Sequence, residues 1–217
     1  INFKAAHIEG ISNLAATDIT YAEKFGYRIK LLGITKRTPE GIELRVHPTL
    51  IPESRLIANV NGVMNAVLVK GDAVGATLYY GAGAGSEPTG SSVIADLVDV
   101  TRLHTADPEH RVPHLAFQPD SLADIPMLPI SAVKTRYYLR LIAQDRTGVL
   151  ADITRILANH DISVDAMLQT EVDDTTKQAH IVIMTHVSQE SNVDTAVGEI
   201  KALESISGEV VKLRVEE

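Results

Sequence analysis

Cysteine is absent from the 217 residues, which excludes disulfides, thiolate nucleophiles and zinc–thiolate sites. Tryptophan is also absent and aromatic residues make up only 4%, so the chain has no stacking platform for nucleic-acid bases. The formal net charge is −8 and no stretch concentrates Lys and Arg, whereas phosphate backbones need a basic face. No apolar run approaches the roughly 18 residues of a membrane-spanning helix. Residues 1–10 contain neither an initiator Met nor a basic-then-apolar leader, so a fragment or processed product is expected. What remains is an acidic chain with 45% hydrophobic residues, enough for one large core or two small ones, and a cytoplasmic location is expected.

Composition shifts once along the chain. Residues 105–129 carry Pro108, Pro113, Pro119, Pro126 and Pro129. Proline fixes its own φ and turns the preceding residue away from helix, so 105–133 reads as an extended connector. Before it, Thr17 is the expected N-cap of a helix running to about Phe25, stopped by Gly26. Residues 27–35 (YRIKLLGIT) and 42–46 (IELRV) read as strands joined by a hairpin loop, and 65–69 and 75–80 as a second pair turning at Gly71-Asp72. Apolar residues at 93, 94, 97, 98 and 100 then have helical spacing.

After the connector the pattern is β-α-β-β-α-β, the ferredoxin-like arrangement. Its strands are 137–143, 162–171, 178–186 and 209–215, its helices 148–159 and 192–203, with a turn at Asp173-Asp174-Thr175-Thr176. Met167 is expected in the core. The fold class expected is therefore α+β: an antiparallel mixed-sheet portion over 1–104, the connector over 105–133, and a βαββαβ unit over 134–217.

The most distinctive segment is Gly81-Ala82-Gly83-Ala84-Gly85-Ser86-Glu87-Pro88-Thr89, between a strand and a helix. Glycines let a backbone approach a ligand, and a helix start presents amides to an anion. It matches neither phosphate-loop fingerprint. GxGxxG requires glycine where Ser86 stands, and GxxxxGK[ST] requires lysine where Ser91 stands. A flexible strand-to-helix turn started by Pro88 explains the pattern equally well. His104, His110 and His114 lie near one another but in no zinc pattern. His180 and His186 would stand roughly 20 Å apart along a strand. No metal site is expected, and nothing marks a nucleophile elbow.

Two resemblances add to this reading. The run Tyr80-Gly81-x-Gly83-Ala84-Gly85-x-x-Pro88-Thr89-x-Ser91-x-Val93-x-x-Asp96-Leu97 resembles the segment of homoserine dehydrogenases where the chain leaves the catalytic domain for the dinucleotide-binding domain. Glu9-Gly10-Ile11-Ser12 through Asp18-Ile19-x-Tyr21-Ala22-x-x-x-Gly26-Tyr27-x-Ile29-Lys30-Leu31-Leu32, then His47-Pro48-Thr49 and Asn61-Gly62-Val63-x-Asn65-Ala66, are similar to that family's catalytic domain. The match spans residues 1–103. It implies NAD(P)-dependent conversion of aspartate 4-semialdehyde to L-homoserine, in threonine, methionine and isoleucine biosynthesis.

The family's Rossmann domain, substrate-binding Glu and Asp/Lys pair spaced D-x-x-x-K are expected upstream of Ile1, so no catalytic residue is assigned here. Asp18 and Lys24 are six apart and read instead as a helix N-terminal acid and a solvated Lys. By the resemblance Gly85 contacts the cofactor, with Gly83 and Thr89 as neighbours in the same turn. NAD(P) is expected in the full-length enzyme, with no tight binding to this chain, which alone is expected to be inactive.

The second unit resembles an ACT domain. Its loop Gln144-Asp145-Arg146-Thr147-Gly148-Val149-Leu150 corresponds to the one that holds a free amino acid in that family. Asp145, Arg146, Thr147, Gly148, Val149, Leu150 and, on a strand, Gln169 are the effector-binding candidates. An alternative is that Asp145 and Thr147 only cap the helix. The resemblance implies a homo-oligomer assembled through ACT domains, with L-threonine as the effector. Feedback would pass through the connector with a coupling of about 1–3 kcal/mol at most. No nucleic acid or membrane partner is expected. A function from another class also fits the second unit: a stand-alone amino-acid-binding regulatory module.

Overall fold

The structure, a computed structural model, describes residues 3–106, 120, 122–170 and 175–217. Most of the proline-rich segment, with His110 and His114, therefore lies outside the described residues, as do Asp173 and Asp174 of the expected turn. The chain forms two compact units, residues 1–58 with 125–217, and residues 59–124.

In the first unit, β1 (His7–Ile8) leads to α1 (Ala16–Lys24), followed by β2 (Tyr27–Arg37) and β3 (Ile42–Pro52). β2 and β3 pair antiparallel along their whole length, from Tyr27 opposite Pro52 to Arg37 opposite Ile42. The turn between them uses Gly41 at φ 157°, where a Cβ would fall 2.4 Å from the Pro126 carbonyl oxygen. The helix has its N-cap at Ala15, not Thr17: the Ala15 amide donates to the Asp18 carboxylate at 3.1 Å. A carboxylate three residues in satisfies the open amide that a Thr17 cap would have left behind.

β4 (Met64–Gly71) and β5 (Gly75–Ala82) belong to the second unit, together with α2 (Ser86–Thr105). The two strands form a separate antiparallel sheet in full register, Met64 opposite Ala82. None of the described residues between 59 and 124 is buried. The amphipathic pattern of α2 did form a helix, yet Val93, Ile94, Leu97, Val98 and Val100 stay 42–63% exposed.

The first unit resumes with β6 (Lys134–Gln144), α3 (Val149–Asn159), β7 (Val164–Gln169), β8 (Gln178–Thr185), the short β9 (Ser188–Gln189), α4 (Glu190–Lys201) and β10 (Ile206–Val215). Its strand order β10-β6-β8-β7 is that of the ferredoxin-like fold. The sheet does not end at β10. Arg214 and Val215 pair in parallel with Thr49 and Leu50, joining the βαββαβ strands to β3. β1 pairs with β3 further along, His7 opposite Arg45.

Side chains alternate across this sheet. Tyr137, Leu139, Leu141 and Ala143 of β6 meet Val149, Ile153 and Leu157 of α3 and Val193, Ala196 and Ile200 of α4. On the other face Tyr138 of β6, Val182 and Met184 of β8, and Leu213 and Val215 of β10 pack with Tyr21 and Ala22 of α1 and Leu50 of β3. Helices on both faces explain why YYLRLIA reads as nearly continuous apolar sequence. Its exception, Arg140, is buried because its Nη2 donates to Asp18 Oδ2 at 3.1 Å while its Nε donates to Oδ1. Asp18 is fully buried and also accepts from the Tyr138 hydroxyl at 3.0 Å. Thus Asp18 serves as the expected helix N-terminal acid and also pins α1 to the sheet. Lys24 lies 5.4 Å from the centre of the Tyr21 ring. Met167, expected in the core, is 37% exposed on β7, the last strand of the sheet.

Candidate functional site

The loop between β6 and α3 borders a hollow of about 180 Å³. Ala143, Ala179 and Ile181 form its floor on the sheet, with Ala143 directly opposite Ala179 on the neighbouring strand. Gln144, Asp145, Arg146, Thr147, Gly148, Val149 and Leu150 form one wall, and Gln169 of β7 faces them from the edge. All seven residues expected from sequence to contact an effector therefore line one cavity. Sequence reasoning missed the floor. The available signal was a pair of alanines in strands otherwise built from large side chains, where their small size leaves room.

The loop conformation suits a ligand. Gly148 is the N-cap of α3 in the left-handed region, φ 93° and ψ −20°. It has no side chain with which to cap the helix. Its N-cap position makes no side-chain cap hydrogen bond. The Asp145 amide donates to the Lys177 carbonyl at 2.9 Å, and the Gln144 amide to the Ser205 carbonyl at 2.8 Å, which anchors the base of the loop. The helix start thus presents amides suited to a carboxylate, and Asp145 supplies the complementary charge for an ammonium group.

The glycine-laced turn lies in the second unit. Gly85 is the N-cap of α2 at φ 123°, a conformation that side chains disfavour. A Cβ at Gly83 would sit 2.1 Å from the side-chain nitrogen of the exposed Asn65, which would have to turn away. The Thr89 amide already donates to the Gly85 carbonyl at 3.2 Å, inside the helix. Of the three cofactor candidates, then, Gly85 has backbone at the helix entrance, Gly83 lies beside the Asn65 side chain just before it, and Thr89 has its hydroxyl to offer. Glu87 at the first turn sets a negative charge beside any phosphate placed there. Among the described residues, no group of three His, Asp or Glu side chains is placed to hold a metal ion.

The βαββαβ unit with a hollow at its first strand–helix turn carries one of two family matches: residues 137–205 match the ACT domain family model. Residues 1–98 match the homoserine dehydrogenase family model. The chain is 56% identical over its full 217 residues to a homoserine dehydrogenase of Pseudomonas aeruginosa, of which it covers 50%. A crystal structure of a homoserine dehydrogenase from Thiobacillus denitrificans superposes with TM-score 0.91 at 66% identity, covering all of this chain and 48% of that one. One from S. aureus superposes with TM-score 0.62 at 28% identity, again over the whole chain and 49% of the other. The chain belongs to the homoserine dehydrogenase family, as the C-terminal part that carries an ACT domain. It spans about half the length of the curated relatives it matches.

Proposed function

We propose that this chain is a portion of an NAD(P)-dependent homoserine dehydrogenase, part of its catalytic domain followed by its regulatory domain, and that the whole enzyme interconverts aspartate 4-semialdehyde and L-homoserine under feedback control by L-threonine. The observation that carries the regulatory half is the convergence of Asp145, Arg146, Thr147, Gly148, Val149, Leu150 and Gln169 on one hollow at an uncapped helix start. A free amino acid brings a carboxylate for those amides and an ammonium for Asp145, and about 180 Å³ suits a small side chain. The division expected from sequence is retained: a catalytic-type region over 1–104, a connector over 105–133 and the ACT region over 134–217.

The catalytic half rests on the family match and on the second unit. The exposed apolar stripe of α2 and the exposed turn ahead of it fit a surface that another domain covers. In the whole enzyme that domain is the dinucleotide-binding one. NAD(P) supplies the hydride chemistry there; the contribution of this chain is backbone at Gly85, with Gly83 and Thr89 in the same turn. Three residues of one turn make no cradle, so the 217-residue chain alone binds the cofactor weakly and does not turn over. A stand-alone amino-acid-binding module would explain the hollow but would leave residues 59–124 without a role.

β7 ends the sheet beside the hollow, with Asp165, Met167 and Gln169 exposed along it. Such an edge invites pairing with a second copy, which would close the hollow from its open side. Homo-oligomerisation through the ACT domains follows. No helix among the described residues is long and apolar enough to cross a membrane. The proposed enzyme works in the cytoplasm.

Calorimetric titration of the chain with L-threonine tests the sensing role. Saturable binding that weakens in Gln169→Ala and Asp145→Asn supports it. No heat with any amino acid derived from aspartate would remove it.

A further inference from the structure

The connector is one covalent link between the ACT strands and the region before them, but the sheet supplies a second, non-covalent one. β10 meets β3 over only two residue pairs, Arg214 opposite Thr49 and Val215 opposite Leu50. A ladder that short contributes little by itself, so side chains hold much of the seam. At its centre is Arg214, 1% exposed. Its Nε donates to Glu190 Oε2 at 2.8 Å, and its Nη1 and Nη2 reach the two oxygens of Glu9 at 3.1 and 2.9 Å. Glu190 is the first residue of α4, in the ACT region. Glu9 directly follows β1, in the segment matched to the dehydrogenase family, and its amide donates to the Val46 carbonyl at 2.8 Å. One buried guanidinium therefore bridges a carboxylate on each side.

The two halves of the bridge differ. Glu190 is 1% exposed and keeps two further partners, the Lys212 ammonium and the Tyr137 hydroxyl at 2.8 Å. Glu9 is 35% exposed at its side chain and has a second partner in His7, Nε2 to Oε1 at 2.6 Å. If Arg214 shifts with α4, Glu190 travels with it, while Glu9 stays with His7 and water. No carboxylate is left buried and unpaired, so the Arg214–Glu9 contact is the one that can open at modest cost.

The hollow connects to this bridge by packing. Val149 lines the hollow and belongs to the same core as Ile153 and Leu157 of α3 and Val193, Ala196 and Ile200 of α4. A ligand that draws in the start of α3 displaces α4 through that core, because close-packed helices shift as bodies rather than deform. Glu190 at the head of α4 then moves Arg214.

We propose that Arg214 is the coupling residue of the proposed feedback: occupancy of the hollow is passed to the dehydrogenase-type segment by opening the Arg214–Glu9 contact across the β3–β10 seam. This deepens the amino-acid-sensing reading and rests on it. The segment receiving the change is Glu9-Gly10-Ile11-Ser12, the stretch between β1 and α1.

The test uses the whole enzyme with L-threonine as the probe, and compares wild type with Glu9→Gln and Arg214→Lys. Calorimetry gives the dissociation constant, and inhibition is read relative to each variant's own uninhibited rate. The expected result is binding preserved within about twofold and an inhibitory concentration raised at least about tenfold, within the usual range of coupling strengths. Should Arg214→Lys fail to fold, the half-exposed Glu9→Gln still decides the matter. Inhibition unchanged in a folded Glu9→Gln enzyme overturns the coupling and leaves the sensing role intact. Binding and inhibition lost together also overturn it, since that pattern is merely structural damage. A wild-type enzyme that neither binds L-threonine nor responds to it removes the sensing role, and the coupling with it.

Discussion

The two compact units carry similar apolar patterning and come out differently. Residues 1–58 with 125–217 form a sheet covered by helices on both faces, and Leu139, Leu141, Ile153 and Leu157 are fully buried. Residues 59–124 form a hairpin and a 20-residue helix, and none of their described residues is buried. Val67, Tyr79, Ile94 and Leu97 are each more than half exposed. Helical or alternating periodicity states that a face wants cover; it does not state where the cover comes from. A two-stranded hairpin is at best marginal without a packed face, so the second unit has the character of a surface awaiting a neighbour.

The comparison breaks most readily in the covered unit. Leu139→Ala is expected to destabilise the chain by about 2–5 kcal/mol, from lost burial plus the cavity left behind. Arg140→Met leaves the Asp18 carboxylate buried with the Tyr138 hydroxyl and the Ala15 amide but no countercharge, and a loss of about 3–5 kcal/mol is expected. Urea unfolding measures both, and a loss below about 1 kcal/mol in either would mean that the core is not where the structure puts it.

Acid sharpens the contrast, because among the described residues the buried titratable groups all lie in the first unit. Burial, with the positive charges of Arg214 and Arg45, pulls the His47 imidazole down to about 4. Its Nδ1 donates to the Pro48 carbonyl at 3.1 Å and its Nε2 accepts from Arg45 at 3.0 Å, which suits the neutral ring. A depressed histidine contributes stability above the unfolded value near 6.5 and loses it as pH falls toward 4. The expected loss is about 3 kcal/mol across that window, and His47→Asn should flatten the curve of unfolding free energy against pH. Glu9 adds a second phase. Burial raises its carboxyl, but the hydrogen bonds and charges of Arg214 and His7 outweigh that and hold it near 2. Its contribution is present above the ordinary value of 4.5 and disappears between there and about 2.

Smaller effects are expected at the hollow and at α2. Gln169→Ala should weaken L-threonine binding about tenfold, or about 1.4 kcal/mol, with the unfolding midpoint little changed. Leu97→Ala should cost no more than about 0.5 kcal/mol in the 217-residue chain, since it removes no buried contact. In the whole enzyme the same substitution should cost several times more. Equal effects in both settings would show that α2 stays uncovered, and would separate this chain from the proposed dinucleotide-binding domain.

Much of this was legible from residues close together in sequence. The alternation in IELRV, the glycine before α3 and the apolar spacing at 149, 153, 156 and 157 located strands, a loop and a helix face. The candidate effector loop was readable for the same reason, since six of its residues are consecutive. Boundaries were less certain. α1 has its N-cap at Ala15 because Asp18 reaches back to that amide, whereas the sequence points to Thr17 as the cap. Met167 looked like core because the edge position of β7 depends on which strands flank β8.

The sequence alone determined the two hairpins, the βαββαβ order and the glycine turn at the head of α2, all of them set by φ preferences and by periodicities of two and 3.6 residues. Tertiary structure decided the joining of β3 to β10, the burial of Arg140 against Asp18, the three-residue bridge of Glu9, Arg214 and Glu190, and the alanine floor of the hollow. The physical reason is distance along the chain: these partners, the floor alanines included, stand from 24 to 205 residues apart. A charged residue in a strand says only that it needs a partner, and packing alone selects which one it meets.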